Sequence, residues 1–465
     1  MKKEDILEDY SIALISRECS LMGRKEVLTG KAKFGIFGDG KEVPQVAMAR
    51  AFREGDFRSG YYRDQTFMMA IGVHTVEHFF AGLYAHADIE ADPTSAGRQM
   101  GGHFTTHSLD ENGEWKNLLK QKNSSSDISC TAGQMPRLLG LAQASKVYRA
   151  LPNAAADGNE VAWGTIGNAS TSEGHFFETL NAAGVMQVPM VMSVWDDEYG
   201  ISVPKEYHTT KESISEVMKG FVRDDKHAGI ELMVVNGWDY PALYEAYQKA
   251  AAVAREQHVP VLVHVRELTQ PQGHSTSGSH ERYKSAERLE WEKEFDCISK
   301  MREWILASGY ATEEELATIE QQAKKRVKDG RKKAWEAYTK PMEAERQQLI
   351  ALLNQIEPNN EYAASLATAP TLLRKVILNT ARKALRQWVK EQREVGALRT
   401  WINDYLATNE PKYSKYLYTE SAHSALNVSE VAPVYNPDAE LVDARIVVRD
   451  NFDALLTKYP NLLIF

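Results

Sequence analysis

Between Glu160 and Pro204 the chain reads EVAWGTIGNASTSEGHFFETLNAAGVMQVPMVMSVWDDEYGISVP, and this stretch restricts the fold more than any other. Val161 to Ile166 is an apolar run of strand length. A turn of small and polar residues follows, from Gly167 and Asn168 through Ala169 and Ser170 to Ser172. From about Glu173 to Gln187, Phe176, Phe177, Leu180, Ala183 and Val185 are spaced for the buried face of a helix. Val188 to Val194 is strand-like again and ends in Asp196-Asp197-Glu198-Tyr199. Strand, turn, helix and strand predict a βαβ crossover, whose parallel strands deliver both following loops to one sheet edge. Open α/β sheets bind ligands beyond that edge. Asn168 and Asp197 are therefore expected to face each other across one site. Oxygen-bearing side chains at a helix start suit a magnesium ion carrying phosphate.

The rest of the chain supports a soluble, sheet-based protein. Its 465 residues suffice for two or three domains, and 43% hydrophobic with 26% charged content is globular. A net charge of -9 without a basic block argues against nucleic acid as a partner. No apolar run approaches a membrane span, and the start, MKKEDILEDY, lacks the apolar core of a signal peptide. Cys19, Cys130 and Cys297 have no metal-like spacing, and their odd number suits a reducing cytoplasm, with buried thiols expected.

Residues 5 to 30 and Val46 to Phe52 read as helices. KFGIFGDGKEV, residues 33 to 43, is glycine-rich but fails the GxGxxG fingerprint and has no preceding strand. Tyr62-Arg63 precedes an apolar helix, so Arg63 either reaches an anion or caps a turn at the surface. Residues 90 to 127 read as a long loop containing His103 between Gly101-Gly102 and Phe104, either an active-site histidine or a solvated one. Cys130 to Tyr148 reads as a helix, Ile230 to Val235 as a strand, Tyr240 to Glu256 as a helix and Val259 to Val265 as a buried strand. Apolar strands alternating with helices over 130 to 266 predict an α/β fold with a doubly wound parallel sheet.

GHSTSG, residues 273 to 278, imitates a GxSxG nucleophile elbow but has Ser277 where the second glycine belongs. His274 nonetheless falls at the expected ligand edge, where an imidazole can bond phosphate or assist proton transfer. Beyond Ser285 the chain becomes charged, alanine-rich and helix-patterned. The expected division is an α/β domain at 1–285, a helical appendage or linker at 286–432, and the start of a second domain at 433–465. Within that last segment an amphipathic helix precedes NLLIF, which reads as a buried strand, suggesting a chain that continues or a strand that docks on a partner.

Several segments together identify a resemblance: GYYRD at 60–64, GRQMGGH at 97–103, ISCTAGQMP at 128–136, the stretch described first, and GHSTS at 273–277. In this order and spacing they resemble the alpha subunit of the thiamine-diphosphate-dependent decarboxylating component of 2-oxo acid dehydrogenase complexes, nearest the branched-chain type. The likeness covers roughly residues 8 to 335, and the tail from Ala439 resembles the start of the family's beta subunit. The resemblance implies a sheet of the thiamine-diphosphate-binding type. It implies magnesium bound by Asn168, Asp197 and the backbone carbonyl of Tyr199, acid and amide being exchanged relative to the family motif. Tyr62, Arg63 and His274 match diphosphate positions. Ser129, Thr131, Gly167, Ala169, Ser170, Glu173 and Gly200 match other cofactor-lining positions, with His103 and His274 as catalytic candidates. The implied reaction is decarboxylation of a 2-oxo acid with acyl transfer to the lipoyl domain of an acyltransferase. It needs a beta half, in the same native chain or a separate subunit, and the chain alone is expected to be inactive. A homo-oligomer is expected. Alternatives are an acetoin-dehydrogenase or transketolase-like thiamine enzyme, or a non-catalytic assembly subunit with an altered metal site.

Overall fold

The protein is described from a computed structural model covering residues 1–99, 101–151, 158–273, 280–415 and 417–464. Eight strands occur among them: β1 Phe57–Ser59, β2 Asn123–Ser124, β3 Ala162–Gly167, β4 Met190–Trp195, β5 Tyr199–Gly200, β6 Val203–Pro204, β7 Glu231–Asn236 and β8 Val261–Arg266. Six form one sheet in the order β2-β1-β3-β4-β8-β7, with every pairing parallel. The remaining two, β5 and β6, make a short antiparallel ribbon. The expected strand-helix-strand unit is present, with the helix at Gly174–Met186 between β3 and β4.

Side-chain alternation explains why helices cover both faces. From β4, Val191 and Trp195 enter one core with Trp163, Val261, Val263 and Val265. Met190, Met192 and Val194 enter the opposite core with Ile166, Leu262, Phe176 and Leu180. Each face is apolar, so neither can be left in water. The first core also takes Cys297, Ile298, Met301, Ile305 and Leu316. The helix Cys297–Ala307 thus joins the core of the sheet domain, packed against the helices Lys3–Leu28 and Glu42–Ala49, instead of projecting from it.

A 44-residue helix, Glu313–Ile356, begins with a capping box between Thr312 and Glu315. Its early part shares a core with Phe80 and Tyr84, through Val327 and Ala334. Its end contributes Leu349 and Leu353 to a separate helical core containing Ile377, Trp388, Leu398 and Ile402. The helix Ala444–Lys458 buries none of its residues. The strand expected at NLLIF does not form over residues 461–464, where Leu463 and Ile464 are about half exposed. Among the described residues, no strand pairs with this segment. Cys19 and Cys297 are buried as expected, but Cys130 is exposed in the loop preceding the helix Gln134–Ala150. Among the described residues, no helix is long and apolar enough to cross a membrane.

Register places the functional edge. Gly167 pairs with Trp195, and Trp195 with Val265, so β3, β4 and β8 end side by side. The chain leaves β1 toward β2 on one side and β3 toward β4 on the other. The crevice between the ends of β1 and β3 is a topological switch point, the place where such sheets bind ligands.

Candidate active site

A cavity of about 400 Å³ opens at this edge. From the loop after β1 come Tyr61, Tyr62 and Arg63; from the end of β3 and the turn after it, Gly167, Asn168, Ala169 and Ser170; from the end of β4, Trp195, followed by Asp197 and, in β5, Tyr199 and Gly200. Thr131, Lys41, Gln270, Tyr283 and Lys284 complete much of the wall. Ten positions expected from the sequence thus surround one space, and Asn168 and Asp197 share it as the crossover requires.

Arg63 is buried, donates to the Phe37 carbonyl, and lies with its guanidinium 5.2 Å from the Tyr62 ring centre. No carboxylate stands within ion-pair distance of it among the described residues. Asn168 begins a short 3-10 turn, Ala169–Ser172, and its backbone is satisfied through Trp195 and Thr171. Its side-chain Nδ2 is buried without a protein partner. The two aspartates after β4 separate in role. Asp196 accepts from His264 Nε2 at 2.8 Å inside the fold, while Asp197 faces the cavity. Asp197 Oδ1 accepts from the Tyr199 backbone N–H at 3.2 Å.

Lys41 was not expected here. Its Nζ donates to Asp197 Oδ2 at 2.8 Å, to Gln270 Oε1 at 2.8 Å and to the Thr269 carbonyl at 3.1 Å. Three acceptors match the three N–H bonds of an ammonium. Burial pulls the Lys41 ammonium below its ordinary value, with Asp197 opposing that shift. Burial pushes the Asp197 carboxyl up, but the Lys41 and Arg63 charges outweigh it and hold the group below the usual carboxylate range.

The glycines before Lys41 explain its placement. Gly40 has φ +87°, and a Cβ there would lie 2.1 Å from the Thr269 carbonyl oxygen. One on Gly38 would lie 2.4 Å from the Arg63 carbonyl oxygen. These glycines serve close backbone approach, the use that a failed dinucleotide fingerprint still signals.

Other expectations fall elsewhere. Glu173 is exposed and outside the cavity wall, at the junction between the 3-10 turn and the helix Gly174–Met186. Ser129 and His103 also lie outside that wall, paired at 2.6 Å between Oγ and Nε2. Beside them Gly102 packs on the Tyr62 carbonyl. His274, with the rest of the GHSTSG motif beyond Gly273, lies outside the described residues.

The wall suits a phosphate-bearing ligand. Among the described residues its charged side chains are Lys41, Arg63, Lys284 and Asp197; Lys41 pairs with Asp197 and Lys284 with Glu292 at 2.7 Å, which leaves Arg63 as a buried cation without a carboxylate partner. Because Gln270 Oε1 faces the Lys41 ammonium, its Nε2 must be the remaining donor, and that nitrogen is buried without a partner. Unpaired buried donors are costly unless an acceptor arrives. The same wall does not suit magnesium, which needs octahedral oxygen at about 2.1 Å. Both Asp197 oxygens are engaged by N–H donors, one of them cationic. Among the described residues, no cluster of three or more His, Cys, Asp or Glu side chains is placed to hold a metal.

The family model described as dehydrogenase E1 component matches residues 11–343. The chain belongs to that family. Members of the family are thiamine-diphosphate-dependent. The chain is 29% identical over 318 residues to 2-oxoisovalerate dehydrogenase subunit alpha of Bacillus subtilis (strain 168), covering 67% of this chain and 84% of the relative. It is 30% identical over 171 residues to pyruvate dehydrogenase E1 component subunit alpha of Rickettsia bellii, covering 37% and 50%. The mitochondrial 2-oxoisovalerate dehydrogenase subunit alpha of Caenorhabditis elegans is 27% identical over 300 residues, covering 64% and 62%. The match spans the sheet, the cavity wall and the first part of the long helix, and ends before the separate helical core.

Proposed function

We propose that this chain is the diphosphate-binding alpha part of a thiamine-diphosphate-dependent 2-oxo acid dehydrogenase, nearest the branched-chain type. The observation that carries the reading is the donor-lined cavity at the ends of β1, β3, β4 and β8, inside the family-matched region. When bound, thiamine diphosphate supplies the nucleophilic carbon that adds to the ketone of a 2-oxo acid and accepts the electron pair left by departing carbon dioxide. The chain's own residues bind and orient. Arg63 offers charge-assisted hydrogen bonds to phosphate oxygens, and the Asn168 and Gln270 amides add neutral donors. Tyr62 stands with Arg63 on the diphosphate side of this reading, Thr131 and Tyr199 complete the wall, and Tyr61 lies beside Gly167.

A complete substrate pocket needs a beta half, and acyl transfer needs the lipoyl domain of an acyltransferase; both are partners in this reading, as is a second copy of the chain. Residence in the cytoplasm, the expectation from three unpaired cysteines, belongs to the same proposal. His274 and His103 remain the candidates for proton transfer, His103 through its contact with Ser129. The test is carbon dioxide release from a branched-chain 2-oxo acid and from pyruvate, with thiamine diphosphate. Release is expected only when a beta half is added. Turnover by this chain alone, or none with a beta half that binds it, overturns the reading.

A further inference from the structure

The lysine in the cavity wall goes beyond the family resemblance, which implies a divalent cation at Asp197. We infer that the Lys41 ammonium stands where that cation would act, so that the chain holds the cofactor's diphosphate with protein charges alone and without magnesium. The inference rests on the cofactor reading given above.

Four observations carry it. First, the ammonium sits 2.8 Å from Asp197 Oδ2, on the oxygen a metal would need. Second, it is fixed there. Lys41 is 1% exposed, its three N–H bonds all have acceptors, and Gly40 wedges its backbone against the Thr269 carbonyl. A divalent ion bound to the same oxygen would lie within a few ångströms of a buried positive charge, where repulsion is weakly screened. Third, with Lys41 paired to Asp197 and Lys284 to Glu292 at 2.7 Å, the wall still holds one buried cation without a carboxylate partner among the described residues, Arg63, to meet the diphosphate charge. Fourth, two unpaired amide groups of the cavity wall are anion-seeking. Asn168 Nδ2 and Gln270 Nε2 are buried N–H donors, and such donors repel a metal and attract phosphate oxygen. The Asn168 and Asp197 exchange then has a different meaning. Asp197 orients the lysine, and Asn168 is a phosphate donor.

The test is calorimetric titration of thiamine diphosphate into the metal-stripped full chain, once with EDTA and once with excess magnesium chloride. The dissociation constants are expected to agree within about threefold, a difference small on the free-energy scale of one bound cation. Tightening by magnesium of about tenfold or more would overturn the inference while leaving the cofactor reading intact. No binding under either condition would overturn both. In Lys41→Gln, which keeps a hydrogen-bonding group of similar length, binding in EDTA is expected to weaken by about tenfold or more and magnesium to restore part of it. A Lys41→Gln chain that folds and binds as tightly in EDTA as the unaltered chain contradicts the role given to the ammonium. The comparison on the unaltered chain requires no variant to fold.

Discussion

Arg58 donates from Nε to Asp64 Oδ2 at 2.8 Å, with neither side chain reaching solvent. The same guanidinium forks onto Asp127 at 2.9 and 3.1 Å and reaches the Tyr61 carbonyl at 3.0 Å. Asp64 in turn accepts from Thr165 and from Trp195 Nε1, tying the loop after β1 to β3 and β4. Arg58 therefore holds Tyr61, Tyr62 and Arg63 in the cavity wall without facing the ligand. Arg58→Met leaves two buried carboxylates without their cation and is expected to cost about 3–5 kcal/mol, read by urea unfolding. Replacing Arg58, Asp64 and Asp127 together by apolar residues is expected to cost less than the single change. A larger loss in the triple variant contradicts this account.

Arg63 has no carboxylate partner among the described residues, so its removal strands no opposite charge. Arg63→Gln, which loses the buried bond to the Phe37 carbonyl but strands no charge, is expected to cost about 0.5–1.5 kcal/mol of unfolding free energy. Its affinity for thiamine diphosphate should fall by about tenfold or more, the worth of a charge-assisted hydrogen bond. Calorimetry and urea unfolding of the same preparation separate the two effects.

His74 sets a pH dependence. Burial pushes its imidazole down to about 3, and the nearby His78 ring, 5.7 Å away, adds to the shift. The unfolded chain takes up that proton near 6.5, while the folded chain excludes it. Its contribution is thus complete above the unfolded value and is lost as the pH falls toward the folded one. The loss is about 1.4 kcal/mol per pH unit over that window. His74→Phe, packed against Phe104, should flatten the fall in stability between about pH 6 and pH 4. An unchanged slope would assign the acid sensitivity elsewhere.

Trp388 lies in the core formed by the end of the long helix and the helices after it, with Nε1 bonded to Glu357 at 3.0 Å. Trp388→Ala is expected to destabilise that helical core by about 3–5 kcal/mol. Amide exchange should rise over residues 345–405 while thiamine diphosphate affinity stays unchanged. A matching loss of affinity would show that the helical core supports the cavity.

The central part of this fold is legible in the sequence because β3 and β4 are buried on both faces. Their apolar runs need no knowledge of distant residues to be recognised, and the turn between them fixes where Asn168 and Asp197 emerge. β1 is different. It has three residues centred on Arg58, and its burial depends on Asp64 and Asp127, so no local pattern announces it. Lys41 is hidden for a related reason. Gly38 and Gly40 are visible, but their partners are the carbonyls of Arg63 and Thr269, brought near only by the folded sheet. Glu173 falls outside the wall, at the end of a 3-10 turn that leaves little trace in hydrophobic spacing. NLLIF has the composition of a strand, but a strand also needs a neighbour.

The central claim is that this cavity binds diphosphate, and comparing thiamine diphosphate with unphosphorylated thiamine tests it most directly. Titrated calorimetrically into the full chain, the diphosphate is expected to saturate one site, with thiamine weaker by about a hundredfold or more because the charged donors then lack an acceptor. Equal affinities for the two compounds, or diphosphate binding untouched in Arg63→Gln, would contradict the account.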